Sequence, residues 1–343
     1  MILLMSARKR KYDYRTNMKI VLILILLFNL IPLIHAQKNN ISAHDPVMIR
    51  QDDTYYLFHT GWGISVWSSG DMASWEREKP VFSEPPEWAA EAVPGFKGHI
   101  WAPDISYHNG NYYLYYSVSA FGKNTSCIGL AVNKTLNPDD PDFKWIDHGK
   151  IIQSVPGRDL WNAIDPNLAF DDSGVPWLNF GSFWSGIKMV RLREDLKGIA
   201  NSPEEWYTIA RRPRDIETDD YDPGKGAIEA PFIFKKGKYY YLFVSFDYCC
   251  RGLNSNYKIM VGRSKKITGP YIDRDGVEML HGGGTLVLAG NEEWPGVGHN
   301  SAYSFDGTDY LVFHAYDASD NGKPRLQIRK MLWDETGWPF IDE

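Results

Sequence analysis

The stretch Glu229-Ala230-Pro231-Phe232-Ile233-Phe234-Lys235-Lys236-Gly237-Lys238-Tyr239-Tyr240-Tyr241-Leu242-Phe243 decides the fold. An apolar run ends in a Lys-Lys-Gly tip, and an aromatic run follows at once. Branched and aromatic side chains suit a pleated surface, and a glycine between two such runs marks a hairpin. The pattern recurs along the chain. Its starts are Asp45-Pro46, Ala102-Pro103, Asp165-Pro166, Ala230-Pro231 and Asn300-Ser301. The turns are Gln51-Asp52-Asp53, His108-Asn109-Gly110, Asp171-Asp172-Ser173-Gly174, Lys235-Lys236-Gly237 and Phe305-Asp306-Gly307. Aromatic second strands follow at 54–58, 112–116, 176–180, 239–243 and 310–313.

The starts lie about 60 residues apart, which is what four strands of ordinary length and their turns require. A four-stranded unit repeated five times predicts an all-β fold, a five-bladed β-propeller. No segment beyond residue 36 carries a long helical period, so a doubly wound α/β fold is excluded. Only Pro203 to Ile209 reads as a turn of helix. A two-sheet sandwich is the weaker rival, because it gives no reason for five similar hairpins.

The N-terminus stands apart from this repeat. Residues 20–34 are apolar, Arg8 to Lys19 supply basic residues before them, and Ala36 closes the run. This is the layout of a secretory signal, with cleavage expected after Ala36. Met18 is the expected start, which makes residues 1–17 an upstream extension, and 37–343 form one propeller domain. The run holds Asn29 and Pro32 and is shorter than the roughly 20 residues that span a bilayer. A secreted or periplasmic protein, free of the membrane after cleavage, is the expectation.

The chain has 343 residues, 43% of them hydrophobic, with 13 Trp, 20 Tyr and a formal charge of −6. That composition excludes disorder, and the acidity argues against nucleic acid as a partner. Residues 1–36 hold six of the basic residues and only Asp13 among the acids, so the mature chain is more acidic still. A neutral substrate suits it, and so does the surplus of Trp and Tyr, whose flat faces stack on sugars. The three cysteines, Cys127, Cys249 and Cys250, form no disulfide framework, and small buried thiols are the preferred reading over a Cys249–Cys250 bridge. Asn40, Asn124 and Asn133 lie in glycosylation sequons.

In a propeller the innermost strands line the axis, so the repeat starts converge on one depression. Asp45, Asp165 and Glu229 thereby meet from three blades. Carboxylates gathered in a cleft repel one another and push at least one pKa upward. Glycoside hydrolysis uses such a set: one carboxyl protonates the leaving oxygen and another activates water. Any one Asp-Pro is more often a turn device than a catalyst. The set of three in register carries the argument. Asp104, after its proline, is assigned to structure. Gly282-Gly283-Gly284-Thr285 lacks the lysine of a phosphate loop and is read as a tight turn. Lys235 to Lys238 is a solvated tip.

His44-Asp45-Pro46, Gly98-His99-Ile100-Trp101-Ala102-Pro103-Asp104, Phe121 to Ser126, Asn162-Ala163-Ile164-Asp165-Pro166, Phe180-Gly181-Ser182-Phe183-Trp184, Ile228-Glu229-Ala230-Pro231, Phe246 to Gly252 and Gly298-His299-Asn300-Ser301 occur in order. In these segments the chain resembles the glycoside hydrolase family 43 arabinanases, specifically the endo-acting α-1,5-L-arabinanases, from His44 to about Pro339. The resemblance implies an inverting hydrolase of internal bonds in linear arabinan, the side chain of pectin. By position Asp45 resembles the general base and Glu229 the general acid. Asp165 resembles the third carboxylate, which orients the acid and raises its pKa. Sugar contacts would fall on Asp45, Gly122, on Asn162, Ala163, Ile164 and Asp165, and on Ser182, Phe183 and Trp184. Trp101 and Phe121 would wall the cleft. His299 resembles the histidine beside an axial metal, usually calcium, held largely through waters, and no organic cofactor is implied. His314 reads as a core or supporting residue. A monomer acting on arabinan polysaccharide is expected. The alternatives are an exo-acting arabinofuranosidase or β-xylosidase on the same fold, and a non-catalytic carbohydrate-binding propeller. A retaining fructan hydrolase would carry a Trp-x-Asn-Asp-Pro-like segment that His44-Asp45-Pro46 lacks.

Overall fold

A computed structural model describes residues 41–343 except 202–203, 216–217 and Glu343. The signal segment, its cleavage point and Asn40 lie outside the described residues. The described residues form five sheets, four of them four-stranded and one five-stranded. The first strands of the sheets are β1 (Val47–Gln51), β6 (His99–His108), β10 (Asn167–Phe170), β14 (Ile228–Lys236) and β18 (Val297–Phe305). Each touches the next, and β18 touches β1, so the sheets form a closed five-bladed propeller. The aromatic runs form the second strands β2 (Thr54–His59), β7 (Asn111–Val118), β11 (Pro176–Phe180), β15 (Tyr239–Phe246) and β19 (Thr308–Asp317). The tip at Lys235 to Lys238 is exposed.

Both faces of each sheet are covered, so the interior divides into five apolar clusters, one at each junction between blades. Leu114 and Tyr116 of blade two pack with Phe58 and Ile64 of blade one. Leu57 and Met48 pack with Val312 and Leu326, which closes the ring between blades five and one. Polar ties cross the junctions too. Asp104 accepts from Leu168 N at 2.8 Å and Asn167 Nδ2 at 3.1 Å, joining blade two to blade three. Burial pushes its carboxyl up to about 6.

Several expectations need correction. Residues 206–209 belong to a strand, β13 (Trp206–Ala210), and not to a helical turn, because Val190 and Met189 offer a paired edge there. Cys249 and Cys250 are joined in a disulfide, whereas Cys127 is the buried free thiol. Asn124 and Asn133 of the sequons are buried, and Asn124 Nδ2 donates to the Asp159 carbonyl at 2.8 Å. Blade two gains a fifth strand, β3 (Gly61–Trp62), which the connection of blade one lays against β6.

Candidate active site

Every first strand bends at its axial end. The residues at that point, Asp45, Ala102, Asp165, Ala230 and His299, all have left-handed backbones, with φ between 40° and 58°. For a residue with a side chain such a backbone costs about 1–2 kcal/mol. The compensation comes from the preceding blade, which accepts the amide of each bent residue. Ala102 N donates to Thr60 Oγ1, Asp165 N to Ser117 Oγ, Ala230 N to Asp165 Oδ2, His299 N to Ser245 Oγ and Asp45 N to His314 Nδ1. The ring of kinks turns these residues and their neighbours toward the axis. Asp45 and Asp165 occupy the kink itself, while Glu229 and Trp101 precede it.

A cavity of about 700 Å³ opens over this ring, and Asp45, Asp165, Glu229 and His299 share it. Trp101, Phe121, Gly122, Asn162, Ile164, Ser182, Phe183 and Trp184 line it as well. Ala163 does not: its methyl packs in the core between blades two and three, and its amide donates to Ser154 Oγ at 3.0 Å. Phe121 is 77% exposed and stands over the cavity as a free aromatic wall.

The three carboxyl groups lie in different environments. Asp45 is buried, and burial opposes its charge. His299 Nδ1 at 2.9 Å and His44 Nδ1 at 2.7 Å overcome that and hold its carboxyl well below the usual carboxylate range. Thr60 Oγ1 donates to its other oxygen at 2.5 Å. His299 is held protonated: against burial, Asp45 and Asp165 raise it to about 9. Asp165 goes the other way, since burial pushes it up to about 8 and the charges of Glu229 and Asp45 add to the push. The upward shift expected within the trio thus falls on Asp165 itself. Glu229 accepts two hydroxyl groups, Tyr257 OH and Ser182 Oγ, each at 2.7 Å.

Sequence reasoning missed Thr60 and Tyr257. Neither lies in a repeat start, and nothing short of the three-dimensional neighbours marks them. Tyr316 was missed likewise: its hydroxyl lies 2.9 Å from His44 Nε2 and accepts the Cys250 amide at 2.7 Å. The disulfide pair lines the cavity.

His44, Asp45 and His314 each offer a ligand atom within 4.8 Å of the others, a possible metal site. Two imidazoles and one carboxylate are a poor donor set for direct calcium binding, which needs six to eight oxygens. His314 Nδ1 is already used by the Asp45 amide, and His299 Nδ1 faces Asp45. A bare calcium therefore does not fit. Asn300 Oδ1, Asn300 Nδ2 and His314 Nε2, however, are buried without a hydrogen-bond partner. Such orphaned groups fit ordered water, or an ion held through water.

Trp184 is tied to the segment before blade four. Its indole donates to the Asp220 carbonyl at 2.9 Å and its amide to the Pro223 carbonyl at 3.3 Å. Pro223 and Gly224 thereby become part of the cavity wall.

Comparison with known proteins agrees with this geometry. The extracellular exo-α-(1→5)-L-arabinofuranosidase ArbA of Cellvibrio japonicus is 54% identical over 303 residues, 88% of this chain and 87% of that one. The extracellular endo-α-(1→5)-L-arabinanase 1 of Bacillus subtilis is 45% identical over 305 residues, 88% of each chain. The solved structure of Cellvibrio cellulosa α-L-arabinanase complexed with arabinohexaose superposes with a TM-score of 0.87 at 53% identity, over 88% of this chain and 96% of that one. The profile of the glycosyl hydrolases family 43 matches residues 39–339. With its five-bladed fold and three axial carboxyl groups in one cavity, the chain belongs to glycosyl hydrolase family 43.

Proposed function

We propose that this protein is an exported hydrolase of α-1,5-linked L-arabinofuranosyl chains that works with inversion. The observation that carries the reading is the division of labour within the cavity: one carboxylate held ionised by two histidines, one carboxyl cradled by two hydroxyl groups, and one buried acid beside them. Similarity to arabinan-degrading relatives supplies the substrate class. Both of those relatives are named extracellular, which supports residues 1–36 as an export signal.

In this mechanism Asp45 is the general base. Its carboxylate takes a proton from water as the water attacks the anomeric carbon, and the His299 and His44 pairs keep it ready to do so. Glu229 is the general acid, giving its proton to the departing sugar oxygen. As the proton leaves, the Tyr257 and Ser182 hydroxyls stabilise the carboxylate that forms, which favours the transition state over the ground state. Asp165 accepts from the Ala230 amide at 3.1 Å and so fixes the peptide that follows Glu229. A water-held calcium on the axis beside His299, supported by the orphaned atoms of Asn300 and His314, would add positive charge near Asp45.

The sequence reading put cleavage inside the chain. One observation shifts the proposal to release from a chain end: identity of 54% to an exo-acting relative against 45% to an endo-acting one. Internal cleavage is the second reading, favoured by the endo-acting relative's match over the same span. A time course on debranched linear arabinan, with products resolved by length, tests both. A single short product from the outset supports end release, and a descending ladder supports internal cleavage. Retained binding with no products overturns the hydrolase reading.

A further inference from the structure

The cavity's aromatic lining does not stop at its rim. Trp101 lines the cavity, and His99 lies two residues before it on the regular part of β6, so both side chains leave the same face of the strand. Trp62 pairs directly opposite His99, and opposed residues of an antiparallel pair also share a face. Trp101, His99 and Trp62 therefore form one continuous surface running outward from the axis. Trp62 lies outside the cavity lining and is 48% exposed.

The indole is held on its inner side. A Cβ built on Gly98 would stand 2.2 Å from Trp62 Cζ3, so the ring rests against that glycine's bare backbone. The His99 imidazole meets it edge-on, with centroids 6.3 Å apart and planes at 86°. One side of the ring is thus fixed, and no described residue takes up its N–H. An apolar core role does not explain an indole left half bare with its N–H unpaired. The exposed aromatic ring, the imidazole edge and the continuity with Trp101 match what a sugar requires: an apolar face to stack on and polar groups beside it.

We propose that Trp62 and His99 form a distal subsite that binds a pentofuranosyl unit of the substrate chain beyond the cavity. The inference rests on the arabinan reading and deepens it. The site lies at the junction of blades one and two, while Pro223 and Gly224 wall the cavity at the junction of blades three and four. In a ring of five these junctions are as far apart as any two can be. A chain bound in the cavity would leave it over Trp62.

The test compares wild type with Trp62→Ala, Trp62→Tyr and His99→Ala on arabino-oligosaccharides of increasing length and on debranched arabinan. Melting temperatures check that each variant is folded. Trp62→Ala should lower kcat/KM about 3- to 10-fold on the longest chains, mainly through KM, and leave the shortest cleaved oligosaccharide unchanged. Trp62→Tyr should restore most of the loss. In an inactive Glu229→Ala background, Trp62→Ala should also weaken retardation of the protein in gels containing linear arabinan. Equal loss at every chain length, or no loss at any length, overturns the subsite while leaving the catalytic reading intact. A wild type that neither cleaves nor binds arabinan overturns the substrate reading and the subsite with it.

Discussion

Replacing Asp165 by Asn separates what this residue costs the fold from what it contributes to chemistry. Burial holds its carboxyl at about 8 in the folded protein, against about 3.9 in an unfolded chain. A group raised in this way favours folding most below its unfolded value, and that contribution is lost as pH rises through the folded value. Between pH 5 and pH 9 the wild type therefore loses up to about 3 pK units of linkage, or ~4 kcal/mol at 1.36 kcal/mol per unit. Neighbouring groups, His299 above all, readjust when the charge is removed, so about half of this is the expected net effect, ~2 kcal/mol. Asparagine does not titrate. For a propeller of roughly 300 residues, an unfolding entropy near 2.1 cal/mol/K per residue converts ~2 kcal/mol into about 3 °C. Scanning calorimetry at both pH values should show the melting temperature of Asp165→Asn, relative to wild type, about 3 °C higher at pH 9 than at pH 5. Turnover on arabinan should fall at the same time, a trade of activity for stability. An identical difference in melting temperature at pH 5 and pH 9 refutes the reasoning, because it would mean that Asp165 has an ordinary pKa in the fold.

Glu229→Ala should abolish cleavage of arabinan while leaving the fold and binding of the polymer intact, as read by product analysis and gel retardation; unchanged activity would remove Glu229 from the acid's role. Tyr257→Phe deletes one of the two hydroxyls on Glu229 and should lower kcat about 10- to 100-fold with little change in KM, the signature of a bond that strengthens as charge develops. A rise in KM at constant kcat would make Tyr257 a ground-state contact instead. Prolonged chelation should lower both melting temperature and activity, with recovery on adding calcium, if an ion sits beside the orphaned Asn300 and His314 groups. Indifference in both measurements would assign those groups to water.

The repeat was legible from sequence because a hairpin is local: strand, turn and strand are contiguous, and alternation with a glycine or aspartate tip suffices to mark each one. Asp45, Asp165 and Glu229 were legible for the same reason, since each sits at the repeat start that the propeller brings to its axis. What the chain order could not express was which side chains meet once the strands have paired. Thr60 reaches the Asp45 carboxylate from the far end of its own hairpin, and Tyr257 reaches Glu229 from the residue just before the third strand of blade four, across 28 positions. Ala163 packs in the core although the resemblance placed it among the sugar contacts, and Cys249 and Cys250 are paired although separate buried thiols were the preferred reading. The division of the three carboxyl groups into one held low and one pushed high has the same origin. Sequence supplies the acids, but burial and the distance to His44 and His299 set their charge, and both quantities exist only once the ring has closed.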